Sequence, residues 1–252
     1  MNQGEYSAIS YATHHFCNPL TPATLDRTLN LARLEPGGSA LDLGCGNGLL
    51  ALHLAERYGL HVEAVDIAEA MIALARERVG DRGAPGSVTL RVQSAEAALS
   101  EGRRFKLVVA NSAWGLVEGR PEPDRILRRL AGAAEPGGYV LWGDPYLKKP
   151  PEGRMAMLLQ AADYRPHAEY VALGEAAGLR PVYAAVSSDQ DFDEFAWRLH
   201  ANVVAFFDAQ PDHPERERRL AYNTMLRTLH LEEGRDTLGF GLYLFQTPAE
   251  PS

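Results

Sequence analysis

The chain has 252 residues, 46% hydrophobic and 23% charged, which fits one large globular domain or a domain with an appended lid and excludes a disordered segment. A formal net charge of -8 argues against nucleic acid as a partner, because phosphate binding draws on clustered Lys and Arg. No apolar run reaches the roughly 18 residues that span a bilayer, and "MNQGEYSAIS" has neither the basic region nor the apolar core of an export signal, so no membrane partner and a cytoplasmic location are expected.

Taken in order, "LTP" at Leu20 to Pro22 offers Thr21 as a cap and Pro22 for the first turn of a helix that runs toward Leu34 and ends before Pro36. "SALDLG" reads as a short buried strand, "NGLLALHLAERYG" as a helix stopped by Gly59, and "HVEAVDI" as the next strand. "AEAMIALARERVG" is a second crossover helix, "VTLRVQ" a third strand, and "FKLVVANSAW" a fourth after an acidic, loop-like connection. Pro123 to Ala134 gives another helix, Glu135 to Gly138 a tight turn, and "YVLWGDPY" a fifth strand ending at Pro145. A short insertion from Pro145 to Pro166 precedes a helix over Arg165 to Gly178, a sixth strand "LRPVYAAVS", a helical insertion over 189–235 and a seventh strand "TLGFGLYLF".

Strand and helix alternate, and parallel neighbours need crossover connections. The fold expected is therefore α/β, a Rossmann-like, seven-stranded, mostly parallel sheet with helices on both faces and a helical insertion between strands six and seven. One domain spans 1–252: an N-terminal helical segment over 1–36, the core sheet over 37–188, the insertion over 189–235 and the final strand over 236–252. The insertion, with Phe192, Phe195, Trp197, Val203, Phe206 and Phe207, has apolar surface enough for either a lid over an acceptor pocket or a homodimer interface. Cys17 and Cys45 are too few for a disulfide framework and lack the paired spacing of a zinc site; no acidic cluster suggests a metal.

"ALDLGCGNGLL" at Ala40 to Leu50 places glycines at 44, 46 and 48 where the first strand turns into a helix. Glycine tolerates positive φ and lets a ligand lie against the backbone, so a branch at Gly46 is expected to occupy ligand space, and the loop is expected to turn N–H groups toward that ligand. Dinucleotide loops favour G-x-G-x-x-G, but Leu49 stands where the third glycine would fall, and Asp42 puts an anion just ahead of the loop. Both features disfavour an NAD-dependent oxidoreductase and fit a ligand with an amino group.

"LDLGCGNG" resembles the first motif of class I S-adenosylmethionine (SAM) dependent methyltransferases, and Asp66 at the end of the second strand stands where that family places a carboxylate on the ribose hydroxyls. The resemblance implies that Gly44 and Gly46 line the methionine moiety, that Asp42 lies near its amino group, that Cys45 between the glycines also meets the cofactor, and that Ile67 packs on the adenine. Asp66 has a second reading as a helix cap for "DIAEAM". Where the family carries "GDA" this chain reads "VQSAEA", leaving Ser94, Ala95 and Glu96 as adenine contacts; Asn111, closing strand four, is expected beside cofactor or acceptor. "HHFCNPLTPATLD", "GDPY" and "GRDTLGFGLYLF" further resemble a bacterial group of such enzymes of unassigned substrate.

The implied activity is methyl transfer from SAM to a small-molecule acceptor by in-line displacement, in which the protein mainly aligns the reactants and excludes water. An acceptor protonated at neutral pH needs a base, and His14, His15, Asp144 and Tyr146 are the candidates; Tyr11 and Trp114 are candidates for the pocket wall. A sensor that binds SAM and transfers nothing remains an alternative, since fold alone does not choose.

Overall fold

The computed structural model describes residues 1–80, 85–112 and 122–249. Helix α1 (Gln3–Ser10) opens with a capping box: Asn2 Oδ1 accepts from the Glu5 N–H at 2.9 Å, and Glu5 Oε2 from the Asn2 N–H at 2.7 Å. Helix α2 (Pro22–Leu29) is capped by Thr21 as its sequence requires, and stops short of the expected Leu34. Strand β1 (Ser39–Leu43), α3 (Leu49–Tyr58), β2 (His61–Asp66), α4 (Glu69–Val79) and β3 (Ser87–Val92) then follow as βαβαβ.

The connection after β3 is a helix, α5 (Ala95–Ser100), and not a loop: Ser94 accepts from the Ala97 N–H at 3.1 Å, and this cap starts a short run of alanines that the acidic residues obscured. Strand β4 (Phe105–Asn111) and helix α6 (Pro123–Ala133) lead to β5 (Ala134–Leu147). The Glu135–Gly138 turn survives inside β5 as an excursion, the register stepping from Phe105↔Ala134 to Leu107↔Tyr139 with Gly137 at φ 69°. The strand does not end at Pro145. It pairs on to Leu147↔Leu238; Pro145 lies past the last β4 pair, Asn111↔Gly143, and before the Leu147↔Pro166 bridge, so among the described residues no ladder on that side needs its N–H. Helices α7 (Gly153–Leu158) and α8 (His167–Ala176), strand β6 (Arg180–Val186), helices α9 (Asp189–Asp208) and α10 (Arg216–Leu229), a π turn over His230–Gly234 and strand β7 (Leu238–Gln246) complete the chain.

The seven strands lie in the order β3-β2-β1-β4-β5-β7-β6, with β7 antiparallel to both neighbours and the remaining described pairs parallel. Alternation along the strands feeds two apolar layers. Leu107, Val109 and Leu141 face Leu25, Leu29 and Leu54 of α2 and α3, whereas Val108, Val140 and Trp142 face Leu127 and Leu130 of α6 and Tyr170 of α8. A third, small cluster joins Tyr6 of α1 to Val203 and Phe207 of α9, which seats the N-terminal helix against the insertion. Among the described residues no helix is long and apolar enough to cross a membrane.

Candidate functional site

At the carboxyl ends of β1, β2 and β4 a cleft of about 550 Å³ opens, lined by Gly44, Gly46, Asp66, Ile67, Ser94, Ala95 and Asn111, all singled out in the sequence. Its other wall comes from α1 through Gln3, Gly4, Ser7 and Tyr11, with Cys17 and Met71 beneath. Tyr11, expected at the pocket wall, is there, but the sequence reading missed the rest of α1, although "NQGE" is a capping-box signature that announces a helix start. Helix α1 approaches so closely that a Cβ on Gly4 would come within 2.9 Å of Ala68 Cβ.

The glycine loop is left-handed at Gly44, Gly46 and Gly48, with φ of 72°, 55° and 75°. Its donors are spent internally. The Gly44 and Cys45 N–H groups both donate to Val65 O, Gly46 to Asp66 Oδ2 at 3.0 Å, Asn47 to Cys17 Sγ at 3.4 Å, Gly48 to Cys45 O and Leu49 to Asn47 Oδ1. The expectation that these N–H groups face a ligand is therefore corrected: the turn offers bare main chain and no anion cradle. The reason for a glycine at 46 also changes, since a Cβ there would stand 2.7 Å from Cys17 Sγ, a group of the protein itself.

Asp66 does more than was asked of it. Oδ1 accepts from the Ala68 N–H at 2.8 Å and Oδ2 from Gly46, so the carboxylate ties the loop to the start of α4 while lining the cleft. It is not the helix cap, which is Ala68. Burial raises its pKa against the two N–H groups that lower it. Ile67 beside it is 75% exposed, an uncovered apolar wall. The Asn111 amide is buried and, among the described residues, neither its Oδ1 nor its Nδ2 has a partner. Ser112, the next residue, is held at φ 55°, a conformation a non-glycine residue rarely keeps without a local reason.

Three expected contacts, Asp42, Cys45 and Glu96, do not line the cleft. Asp42 is 3% exposed and lies behind the loop; burial, and then the Asp66 charge, push its carboxyl up to about 7, and its Oδ2 has no partner among the described residues. The Cys45 side chain is buried in the apolar layer that holds Leu50 and Leu54, opposite to the layer of Leu41 and Leu43, because the left-handed turn at Gly44 breaks the alternation of β1. Glu96 points out of α5 on its exposed side, leaving Ser94 and Ala95 at the wall. Trp114 lies outside the described residues.

The proposed bases are placed elsewhere as well. His14 is 3% exposed with Nε2 3.0 Å from Phe195 O and Nδ1 3.5 Å from Asn202 Nδ2, joining the end of α1 to α9; burial holds it below its ordinary pKa. His15 packs edge-on to Phe16 outside the cleft. Asp144 lies one residue past Gly143, the register partner of Asn111, and alternation turns it to the opposite face, where burial pushes its pKa up to about 8 near Tyr164, Tyr170 and Tyr243. Tyr146 fills the space left by Gly239, where a Cβ would stand 2.4 Å from its ring.

A second cavity of about 560 Å³ lies between α1, α9 and α10 and shares Gln3, Ser7 and Tyr11 with the cleft. Among the described residues no group of three His, Cys, Asp or Glu is arranged to hold a metal.

Residues 40–138 match the profile of a family described as methyltransferase domain. The chain is 38% identical over 111 residues to a ubiquinone biosynthesis O-methyltransferase of Xanthomonas axonopodis pv. citri, covering 43% of this chain and 44% of that one. It is 31% identical over 129 residues to the enzyme of the same name from Stutzerimonas stutzeri, covering 51% of each. The chain thus spans about half the length of the relatives it matches. Among solved structures it superposes on a SAM-dependent methyltransferase of Geobacter sulfurreducens in complex with S-adenosylhomocysteine (SAH), with TM-score 0.84 and 24% identity over 95% of this chain and 96% of that one. A counterpart from Thiobacillus denitrificans, also with SAH, gives TM-score 0.82 and 22% identity over 95% and 97%. The fold is that of class I SAM-dependent methyltransferases.

Proposed function

We propose that this chain, which carries a methyltransferase domain over residues 40–138, is a SAM-dependent methyltransferase acting on a small molecule. The observation that carries the reading is the donor accounting of the glycine loop. A dinucleotide site needs free N–H groups for its pyrophosphate, and from Gly44 to Leu49 each is already bonded within the protein. What faces the cleft is bare backbone, a carboxylate, an apolar wall and an unpartnered amide, which fits a nucleoside with a cationic tail.

The buried Asn111 amide, without a partner among the described residues, supports a polar ligand at that wall, because such a group otherwise costs about 1–3 kcal/mol. Asp66 would accept from the sugar hydroxyls with the lone pairs left by its two backbone bonds, Ile67 would cover the base, and Ser94 and Ala95 would meet its edge. When bound, SAM supplies a methyl group already activated on a sulfonium, with a neutral leaving group. Tyr11 and Met71 close the cleft and exclude water, and α1 holds the acceptor in line. No nominated base lines the cleft, so alignment is read as the main contribution of these residues. Asp42 acts from behind the loop as a buried carboxyl rather than as a contact.

The relatives are named as O-methyltransferases, so an oxygen acceptor is tried first. The test is a thermal shift with SAH and with NAD, followed by incubation with methyl-labelled SAM and a metabolite extract. Stabilisation by SAH and label transfer are expected. Stabilisation by NAD alone would return the oxidoreductase reading; tight SAH binding with no labelled product from any extract would return the sensor.

A further inference from the structure

The cavity between α1, α9 and α10 is not explained by cofactor binding, yet it opens on the cofactor cleft through Gln3, Ser7 and Tyr11. Its walls have two kinds of surface. One is aromatic: Tyr11 stacks on Phe195 with ring centres 6.1 Å apart, and Phe195 meets Phe192 at 6.3 Å, giving a ladder that leads away from the cleft along α9. The other is cationic. Arg218, Arg219 and Arg227 line the cavity and, among the described residues, no Asp or Glu does, in a chain whose net charge is -8.

These arginines are not equivalent. Arg218 and Arg219 share Glu215 Oε2 at 3.0 and 2.9 Å, and Arg219 also lies over the Tyr6 ring at 4.5 Å. Arg227 has no carboxylate partner among the described residues. Its Nη1 meets His200 Nε2 at 3.0 Å and its guanidinium lies over the Trp197 ring at 5.4 Å. Burial, and then the Arg227 charge, hold His200 below its ordinary pKa, which favours a neutral imidazole that accepts from Arg227 without compensating its charge. Three residues on, His230 also lines the cavity and is oriented by Asp193 Oδ1 at 2.9 Å. An uncompensated guanidinium at the edge of an aromatic cavity is arranged for an anion on an apolar body.

We propose that this cavity is the acceptor site and takes a molecule with a flat apolar body and one anionic group, the anion on Arg227 and the group to be methylated at the Gln3–Ser7–Tyr11 seam. The inference rests on the methyltransferase reading and narrows its substrate class.

The probes are 8-anilinonaphthalene-1-sulfonate, an aromatic anion, and N-phenyl-1-naphthylamine, its neutral counterpart, titrated by fluorescence into the full chain. Saturable binding of the anion is expected, weakened about tenfold or more in Arg227→Gln, as loss of a charge-assisted hydrogen bond implies. Arg227→Lys is expected to keep the anion within about threefold, and the neutral probe to change less than twofold in either variant. Ala196→Trp, which fills the cavity from α9, is expected to weaken both probes. No saturable anion binding, equal losses of both probes in Arg227→Gln, or full binding in Ala196→Trp would overturn the proposal. Titrating the wild-type chain with SAH separates the two readings: SAH binding without discrimination between the probes removes only the acceptor site, whereas no SAH binding removes the reading beneath it.

Discussion

Replacing Gly46 by alanine tests how the cofactor loop is held. At φ 55° an L residue costs about 1–2 kcal/mol against glycine. The new Cβ would stand 2.7 Å from Cys17 Sγ and 3.3 Å from Cys17 Cβ, in a segment pinned by the Asn47 N–H to Sγ bond; overpacking of this kind adds about 1–3 kcal/mol. Gly46→Ala is therefore expected to lower stability by roughly 2–5 kcal/mol. Cys17→Ala alone should cost about 1 kcal/mol through lost packing and the freed Asn47 donor. In the double variant the sulfur is gone and the remaining 3.3 Å Cβ contact needs only a shift of a few tenths of an ångström, which leaves the backbone cost of about 1–2 kcal/mol beside the roughly 1 kcal/mol of Cys17→Ala itself. The two substitutions should then be coupled by about 1–3 kcal/mol, the overpacking cost, in a double-mutant cycle measured by urea unfolding. Strict additivity, or a Gly46→Ala protein within about 0.5 kcal/mol of wild type, would refute the claim that Cys17 rather than ligand space dictates this glycine.

Asp66→Ala should weaken SAH binding by roughly 1–3 kcal/mol in calorimetry and also lower the melting temperature, because the Gly46 and Ala68 donors lose their acceptor; an unchanged dissociation constant would leave Asp66 a purely structural tie. Stability should fall as pH rises from about 4 to 7, because Asp42, at about 7 in the folded chain against about 3.9 unfolded, binds its proton more tightly when folded. Asp42→Asn should flatten that slope, with a gain at pH 8 of at most about 4 kcal/mol; equal effects at pH 5 and pH 8 would exclude Asp42 as its source. Asn111→Leu, which removes two unpartnered polar atoms, should leave the apo chain as stable or more so while weakening SAH binding. A variant that loses stability without SAH would show that Asn111 has a partner within the protein.

The order of elements was legible because it rests on local rules. Apolar runs of five to seven residues such as Ser39–Leu43 and Phe105–Asn111 alternate with amphipathic stretches closed by glycine, and crossover geometry makes such a sheet mostly parallel. The ends of elements were less legible. Ala95–Ser100 reads as acidic loop until the Ser94 cap is seen to act, and β5 passes Pro145 because no neighbour there needs its N–H.

The candidate site divides in the same way. By themselves the residues from Ala40 to Ile67 determined a glycine turn with an acidic partner one strand over, since spacing along a βαβ unit fixes which loops meet at the carboxyl end of a sheet. Tertiary structure alone decided where the side chains and donors go. It spent the loop's N–H groups inside the protein, turned Asp144 to the far face by the two-residue period of a strand, engaged both ring nitrogens of His14 with α9, and brought α1 from the start of the chain to wall the cleft. The physical reason is range. The tertiary hydrogen-bond partners of the site stand from 20 positions apart, as Gly46 and Asp66, to 188, as His14 and Asn202, and no local pattern records which of them will meet.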